Sequence, residues 1–239
     1  MNKFSKIANG VILAMSLLEI AYADTNRWTG FYAGANTGII FNDAQLRSQH
    51  LGFTNPSDTC NTCENFSTFT AGMQFGYLYQ FSNQIVSGVE ASIGFNANQQ
   101  RALSCTSHFN ANVYDRFSFK NQMQGSLKGR AGRALNWNNN IFLPYLTAGA
   151  SLIDAGLTYQ NEGSDYYSQH NTHTGWLIGA GVEWAFMQNW SLRAEYYYLD
   201  DGSVVSLNIP TVYGLFDPNG HAHVNLSSNN IVVAVNYWV

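Results

Sequence analysis

Three groups of residues carry the chemistry that this sequence offers. Glu90, Lys128, Arg130, Glu183, Arg193 and Glu195 stand in stretches otherwise rich in glycine and aromatics. Three carboxylates against three cations suit a buried ion-pair set, because a charge that leaves water needs a partner. Cys60-Asn-Thr-Cys63 and Cys105-Thr-Ser-His108 have the spacing for zinc or for a disulfide. An exported chain meets an oxidising compartment, which favours a bridge from Cys105 to Cys60 or Cys63 with one thiol left over. The histidines are His50, His108, His170, His173, His221 and His223. Among them His221-Ala-His223 and His170…His173 offer imidazoles to a metal or a heme iron, against the plainer reading of solvated loop residues. No nucleophile elbow, phosphate loop or zinc-protease helix is present, and no βαβ setting supports a redox role for Cys60 and Cys63. The expectation is therefore no enzyme and no assigned catalytic, cofactor or metal residue.

Strands must position these groups. From Phe69 to Phe81, the residues Phe69, Ala71, Met73, Phe75, Tyr77, Tyr79 and Phe81 alternate with Thr70, Gly72, Gln74, Gly76, Leu78 and Gln80. A period of two sustained this long is a strand signal that helical spacing cannot mimic. The pattern returns in Phe31–Phe41, Ile85–Phe95, Trp176–Phe186 and Trp190–Tyr198. It is weaker around Gln122–Leu135 and Ile141–Leu152, and mixed in Asn229–Val239, where Val232 and Trp238 break the polar face. Short connections (Ser82–Gln84, Asn136–Asn140, Met187–Asn189) alternate with long ones (Asn42–Thr68, Asn96–Asn121, Ile153–Thr172, Asp200–Ser228). Eight such strands make an all-β, antiparallel, up-and-down transmembrane barrel, with tight periplasmic turns and long outer loops.

Composition decides which face meets what. Charged residues are 11% of the chain, where a soluble domain carries about a quarter, while aromatics reach 15% and glycine 21 residues. A net charge of −4 without a basic run excludes nucleic-acid partners. A soluble, lipocalin-like barrel would turn the apolar face inward around a ligand. Its exterior would then be built from Gly72, Gly76, Gly88, Gly179 and Gly181, oddly bare of charge. Aromatics near strand ends (Trp28, Phe31, Tyr79, Phe81, Trp184, Phe186, Trp190) fit membrane girdles instead. The six charges then point into the lumen. Counting back from the Met187–Asn189 turn, with Phe186 opposite Trp190, sets Glu183 opposite Arg193. The expectation is a belt that plugs an interior only as wide as its side chains.

Lys3 and Lys6, the apolar run Ile7–Leu18 and Ala21-Tyr22-Ala23 follow the plan of a secretory signal peptide. Residues 1–23 are expected to be that peptide and 24–239 the barrel domain. No other stretch reaches 18 consecutive apolar residues, so a membrane-embedded mature chain would cross with strands.

Four motifs then carry a resemblance. They are Trp28-Thr-Gly-Phe-Tyr-Ala-Gly34, Gly129-Arg130-Ala-Gly132 with Pro144-Tyr145, Gly179-Ala-Gly-Val-Glu183, and Asn189-Trp-Ser-Leu-Arg-Ala-Glu-Tyr196. In this order they resemble the small OmpA-like and opacity-protein-like outer-membrane barrels, most of all the alphaproteobacterial-type surface antigens and hemin-binding proteins. The resemblance spans the strands and leaves the long loops unmatched. It implies a surface-exposed outer-membrane protein with a structural or interaction role, and a lumen closed by Glu90, Arg130, Glu183 and Arg193. The implied partners are outer-membrane lipid, the barrel-assembly machinery, and a host molecule or heme at the loops. A narrow channel is the further alternative. One departure is the C-terminus, Asn236-Tyr-Trp-Val239, where such barrels usually end in an aromatic.

Overall fold

The computed structural model describes residues 27–49, 59–97, 101–106, 114–138, 140–160, 166–209 and 220–239. The signal peptide expected at 1–23 lies outside them, as do His50 and His108 and the side chains of Cys60, Cys105, His170, His221 and His223.

Alternating sequences become strands because successive side chains take opposite faces. The strands are β1 (Gly30–Gln49), β2 (Thr59–Gln80), β3 (Ile85–Asn96), β4 (Arg101–Thr106), β5 (Tyr114–Arg133), β6 (Leu135–Trp137), β7 (Asn140–Gln160), β8 (Tyr166–Met187), β9 (Trp190–Ile209) and β10 (Gly220–Trp238). Every pairing is antiparallel. β1 bonds to β2 on one side and to β10 on the other, which closes the sheet. Eight long strands form the ring; β4 extends it against the outer part of β5, and β6 is a short addition against β7. Closure leaves no open edge across the bilayer, where an unpaired backbone group would cost several kcal/mol.

The two faces separate as the composition implied. Phe69, Met73, Phe75 and Ile178 point outward, with more than half of each side chain exposed. Gln74, Glu90, Lys128 and Glu183 point inward and are buried. A soluble barrel with its apolar face inside would have buried the first set and exposed the second.

Three expectations need correction. The long connections are largely strand: β1 runs to Gln49 and β2 begins at Thr59, and β8 starts at Tyr166 rather than near Trp176. Past the lipid the outer face of a hairpin meets water instead of acyl chains, so the ladder continues after the apolar alternation stops. At the Gln188–Asn189 turn, Met187 rather than Phe186 pairs with Trp190, and a bulge between Ala185 and Met187 takes up the extra residue. Glu183 still faces Arg193, because the bulge restores the count. Trp28 does not join a lipid-facing girdle. It is fully buried in the periplasmic mouth, edge-on to Trp238 at 5.4 Å, its backbone N–H donating to Gln80 at 3.1 Å.

Candidate functional site

The inward residues stack in layers along the lumen. At the periplasmic end Trp28, Tyr32, Leu78, Val86, Ala134, Leu143, Tyr145 and Trp238 pack into one apolar and aromatic cluster. Val232 and Trp238, which broke the polar pattern of the last strand, are lumen side chains.

Against this cluster lies the charge belt. Glu90, Arg130, Glu183 and Arg193 come together with Lys128 and Glu195. Lys128 Nζ lies 3.0 Å from Glu90 and 2.7 Å from Glu195. Arg130 reaches Glu183 at 2.6 Å and Glu90 at 3.4 Å, while Arg193 bonds Glu90. The direct cross-strand pair is therefore not the ion pair. Glu183 and Arg193 face each other on the ladder, yet Glu183 takes Arg130 from β5, just past β7, and Arg193 takes Glu90 from β3 on the opposite wall. In so narrow an interior an arginine spans to the opposite wall as readily as to its neighbour.

Polar groups that the sequence reading passed over complete each carboxylate. The Tyr32 hydroxyl donates to Glu90 at 2.6 Å and accepts from Arg130 at 2.9 Å. The Tyr145 hydroxyl donates to Glu195 at 2.5 Å, and its ring lies 3.9 Å beneath the Arg130 guanidinium. Ser191 and Asn236 donate to Glu183 at 2.6 and 2.8 Å. Tyr32 and Tyr145 fit because glycines face them: a methyl at Gly76 or Gly181 would meet the tyrosine ring or hydroxyl at 2.5 Å. Tyr32 stood on the glycine-rich face of its strand, so strict parity was the available signal.

Outward of the belt, a polar void of about 30 Å³ between Thr70, Ser92, Gln124, Ser126 and Tyr197 has room for a water molecule or two. Beyond it Ile40, Ala44, Ile153, Leu177, Leu199, Val224 and Leu226 are buried on the lumen side, interleaved with buried Asn42, Thr68, Ser151, Ser228 and Asn230, and make a partly apolar collar.

The cysteines and histidines lie on strands for the most part, and most of their side chains fall outside the described residues. Cys60, Cys63 and Cys105 belong to strands β2 and β4, not to loops. Cys63 is exposed and free, which removes the Cys63–Cys105 bridge. His170 and His173 lie on β8, and His221 and His223 on β10, again as strand rather than loop positions. Among the described residues no three metal-ligating side chains cluster.

A closed antiparallel barrel with an apolar outer belt and a neutralised, filled lumen defines an integral outer-membrane β-barrel protein. The chain belongs to the outer membrane protein beta-barrel domain family, whose model matches residues 10–237. It is 27% identical to the 31 kDa outer-membrane immunogenic protein of Brucella melitensis biotype 1, over 82% of this chain and 80% of that one. It is 30% identical to the 25 kDa outer-membrane immunogenic protein of Brucella ovis, over 74% and 71% of the two chains. Among solved structures it is similar to Neisserial surface protein A, with a TM-score of 0.43 and 19% identity over 88% of this chain and 98% of that one. The protein is thus an outer-membrane barrel with immunogenic surface-antigen relatives.

Proposed function

We propose that this barrel is a sealed, non-enzymatic pedestal that holds its outer hairpins at the cell surface for interaction with a partner molecule. The observation that supports it most is the lumen. Six buried charges balance three against three, with an apolar cluster on one side and a partly apolar collar on the other. An interior built this way supports a lumen closed to ions and solutes. Charges placed there serve rigidity, since a buried carboxylate bonded to two cations and a tyrosine holds the strands around it at fixed separation. The strands then continue well past the 9–11 residues that a tilted crossing requires, as in β8 with its 22 residues. Lipid meets the apolar belt, the barrel-assembly machinery reads the closing strand β10 through Tyr237 and Trp238, and the outer hairpins carry any specificity toward a host molecule or heme.

Planar-bilayer recording of the full mature barrel tests the sealed lumen. The expected trace stays at baseline or shows rare, brief openings. Large, steady conductance would overturn the reading in favour of a narrow channel.

A further inference from the structure

The collar contains one carboxyl group that the belt does not use. β9 runs from Trp190 to Ile209, and since a tilted crossing needs only about 9–11 residues, a crossing counted from Trp190 is complete by about Asp200, with Asp201 next outward. Its side chain is turned into the lumen and buried, as are Ile153, Leu177, Leu199 and Leu226 on β7, β8, β9 and β10. The Ser151 hydroxyl, itself fully buried, donates to Asp201 Oδ1 at 2.7 Å. The carboxyl occupies the space left open at Gly175, where a methyl would collide with Oδ1. None of Arg27, Lys128, Arg130, Arg133 and Arg193, the cations whose side chains are described, pairs with it.

The backbone at the same place is a hinge. β9 carries two irregularities against β10, one between Val224 and Asn225 and one between Leu226 and Ser227, so Asp201 itself has no ladder partner on β10. Gly202 follows in the left-handed region at φ 59°. The ladder is interrupted twice beside a buried carboxyl, and each circumstance makes the other consequential.

We propose that Asp201 is a proton-binding latch for the outer end of the lumen. With its proton the carboxyl stays seated against Ser151 and pins the outer part of β9 to the collar; without it the carboxylate moves toward water and loosens the β9–β10 hairpin beyond the hinge. Burial pushes the Asp201 carboxyl up from 3.8 to about 6, opposed by the Ser151 hydrogen bond and reinforced by Asp200. The groups facing it can be named strand by strand. β8 contributes His173, on the lumen side opposite Ile153; β7 contributes Ser151 and Ile153; β10 contributes Leu226 and Ser228. Asp154 on β7 and Asp200 on β9 stand one residue out of phase with Ser151, Ile153 and Asp201, toward the outer face. Because the seated form holds the proton more tightly than the released form, release grows as pH rises from about 4 to about 6 and then levels off. The latch is closed in acid and looser at neutral pH.

Hydrogen–deuterium exchange of the lipid-reconstituted barrel, corrected for intrinsic rates between pH 4 and 8, tests this. Protection of the β9–β10 ladder outward of Asp201 should fall by about a hundredfold in all, at most tenfold per pH unit, while the ladder from Trp190 to Tyr198 stays unchanged. Asp201→Asn should hold the outer ladder protected at every pH. Ser151→Ala, which removes the hydrogen bond favouring the carboxylate, should move the plateau to higher pH. His173→Gln should leave the profile as it is. Flat protection in the native chain, a native profile in Asp201→Asn, or loss of the transition in His173→Gln would each overturn the latch. Should Asp201→Asn fail to fold, Ser151→Ala decides: an upward shift supports the latch and an unmoved profile overturns it.

Discussion

Glu90 shows at the scale of one residue why a barrel interior can hold so many charges. Its carboxylate meets Lys128, Arg130, Arg193 and the Tyr32 hydroxyl, so all three cations of the belt converge on it. Removing it leaves those cations facing two carboxylates in a space that water does not reach. Glu90→Gln, which keeps the volume and deletes the charge, is expected to cost about 3–5 kcal/mol of unfolding free energy. Urea titration of the refolded barrel, followed by its heat-modifiable gel migration, measures this. Loss of less than about 1 kcal/mol would mean that the belt is solvated. Gly181 carries the converse prediction. A methyl there would stand 2.5 Å from the Tyr145 hydroxyl and drive it off Glu195. Gly181→Ala should destabilise by about 1–3 kcal/mol through overpacking, and Tyr145→Phe in the same background should not repair it, since the ring remains.

At the scale of the strand, orientation is the property with consequences. Phe75 lies midway along the membrane-crossing part of β2, facing lipid between Gln74 and Gly76, which face the lumen. Phe75→Arg should cost about 2–4 kcal/mol near the bilayer midplane, with the penalty shrinking toward either interface; equilibrium unfolding in lipid vesicles reads it. Equal tolerance of arginine at 75 and at Tyr79, nearer the interface, would contradict the assigned depth. Parity of this kind was legible in the sequence because one face of each crossing strand is apolar, and a single misplacement would have reversed every side chain. It points Glu90, Arg130, Glu183 and Arg193 inward, where their side chains are buried. The ionic partners were not legible: ladder register fixes which backbones are adjacent, whereas Arg130 and Arg193 choose carboxylates beyond the adjacent strand. Nor were the outer halves of the strands, where polar residues on both faces erase the period while the hydrogen-bonded ladder persists. Trp28 escaped for a third reason. A tryptophan beside a strand end suits an interfacial girdle and a plugged mouth equally well, and the choice depends on Trp238 at the far end of the chain.

For the whole molecule the layers set a direction: short turns and the tryptophan plug at one end, the collar and long hairpins at the other. The proposed pedestal requires the hairpins to stand outside the cell, and Cys63 is a built-in reporter of it. It lies on β2 well beyond the crossing segment, opposite Gln45 of β1, exposed and unpaired. In a Cys60→Ser, Cys105→Ser background, a membrane-impermeant maleimide added to intact cells should label Cys63 almost completely, whereas a cysteine introduced at Asn138, in the turn before β7, should react only after lysis. The reverse pattern would invert the barrel and remove the hairpins from any outside partner. Replacing the outer β7–β8 hairpin, residues 155–171, by a two-residue turn separates pedestal from display. The shortened chain should keep its heat-modifiable migration, because the lumen layers and the ring closure lie below the cut. Loss of folding would show instead that the extensions hold the barrel together, making the hairpins part of the scaffold rather than its cargo.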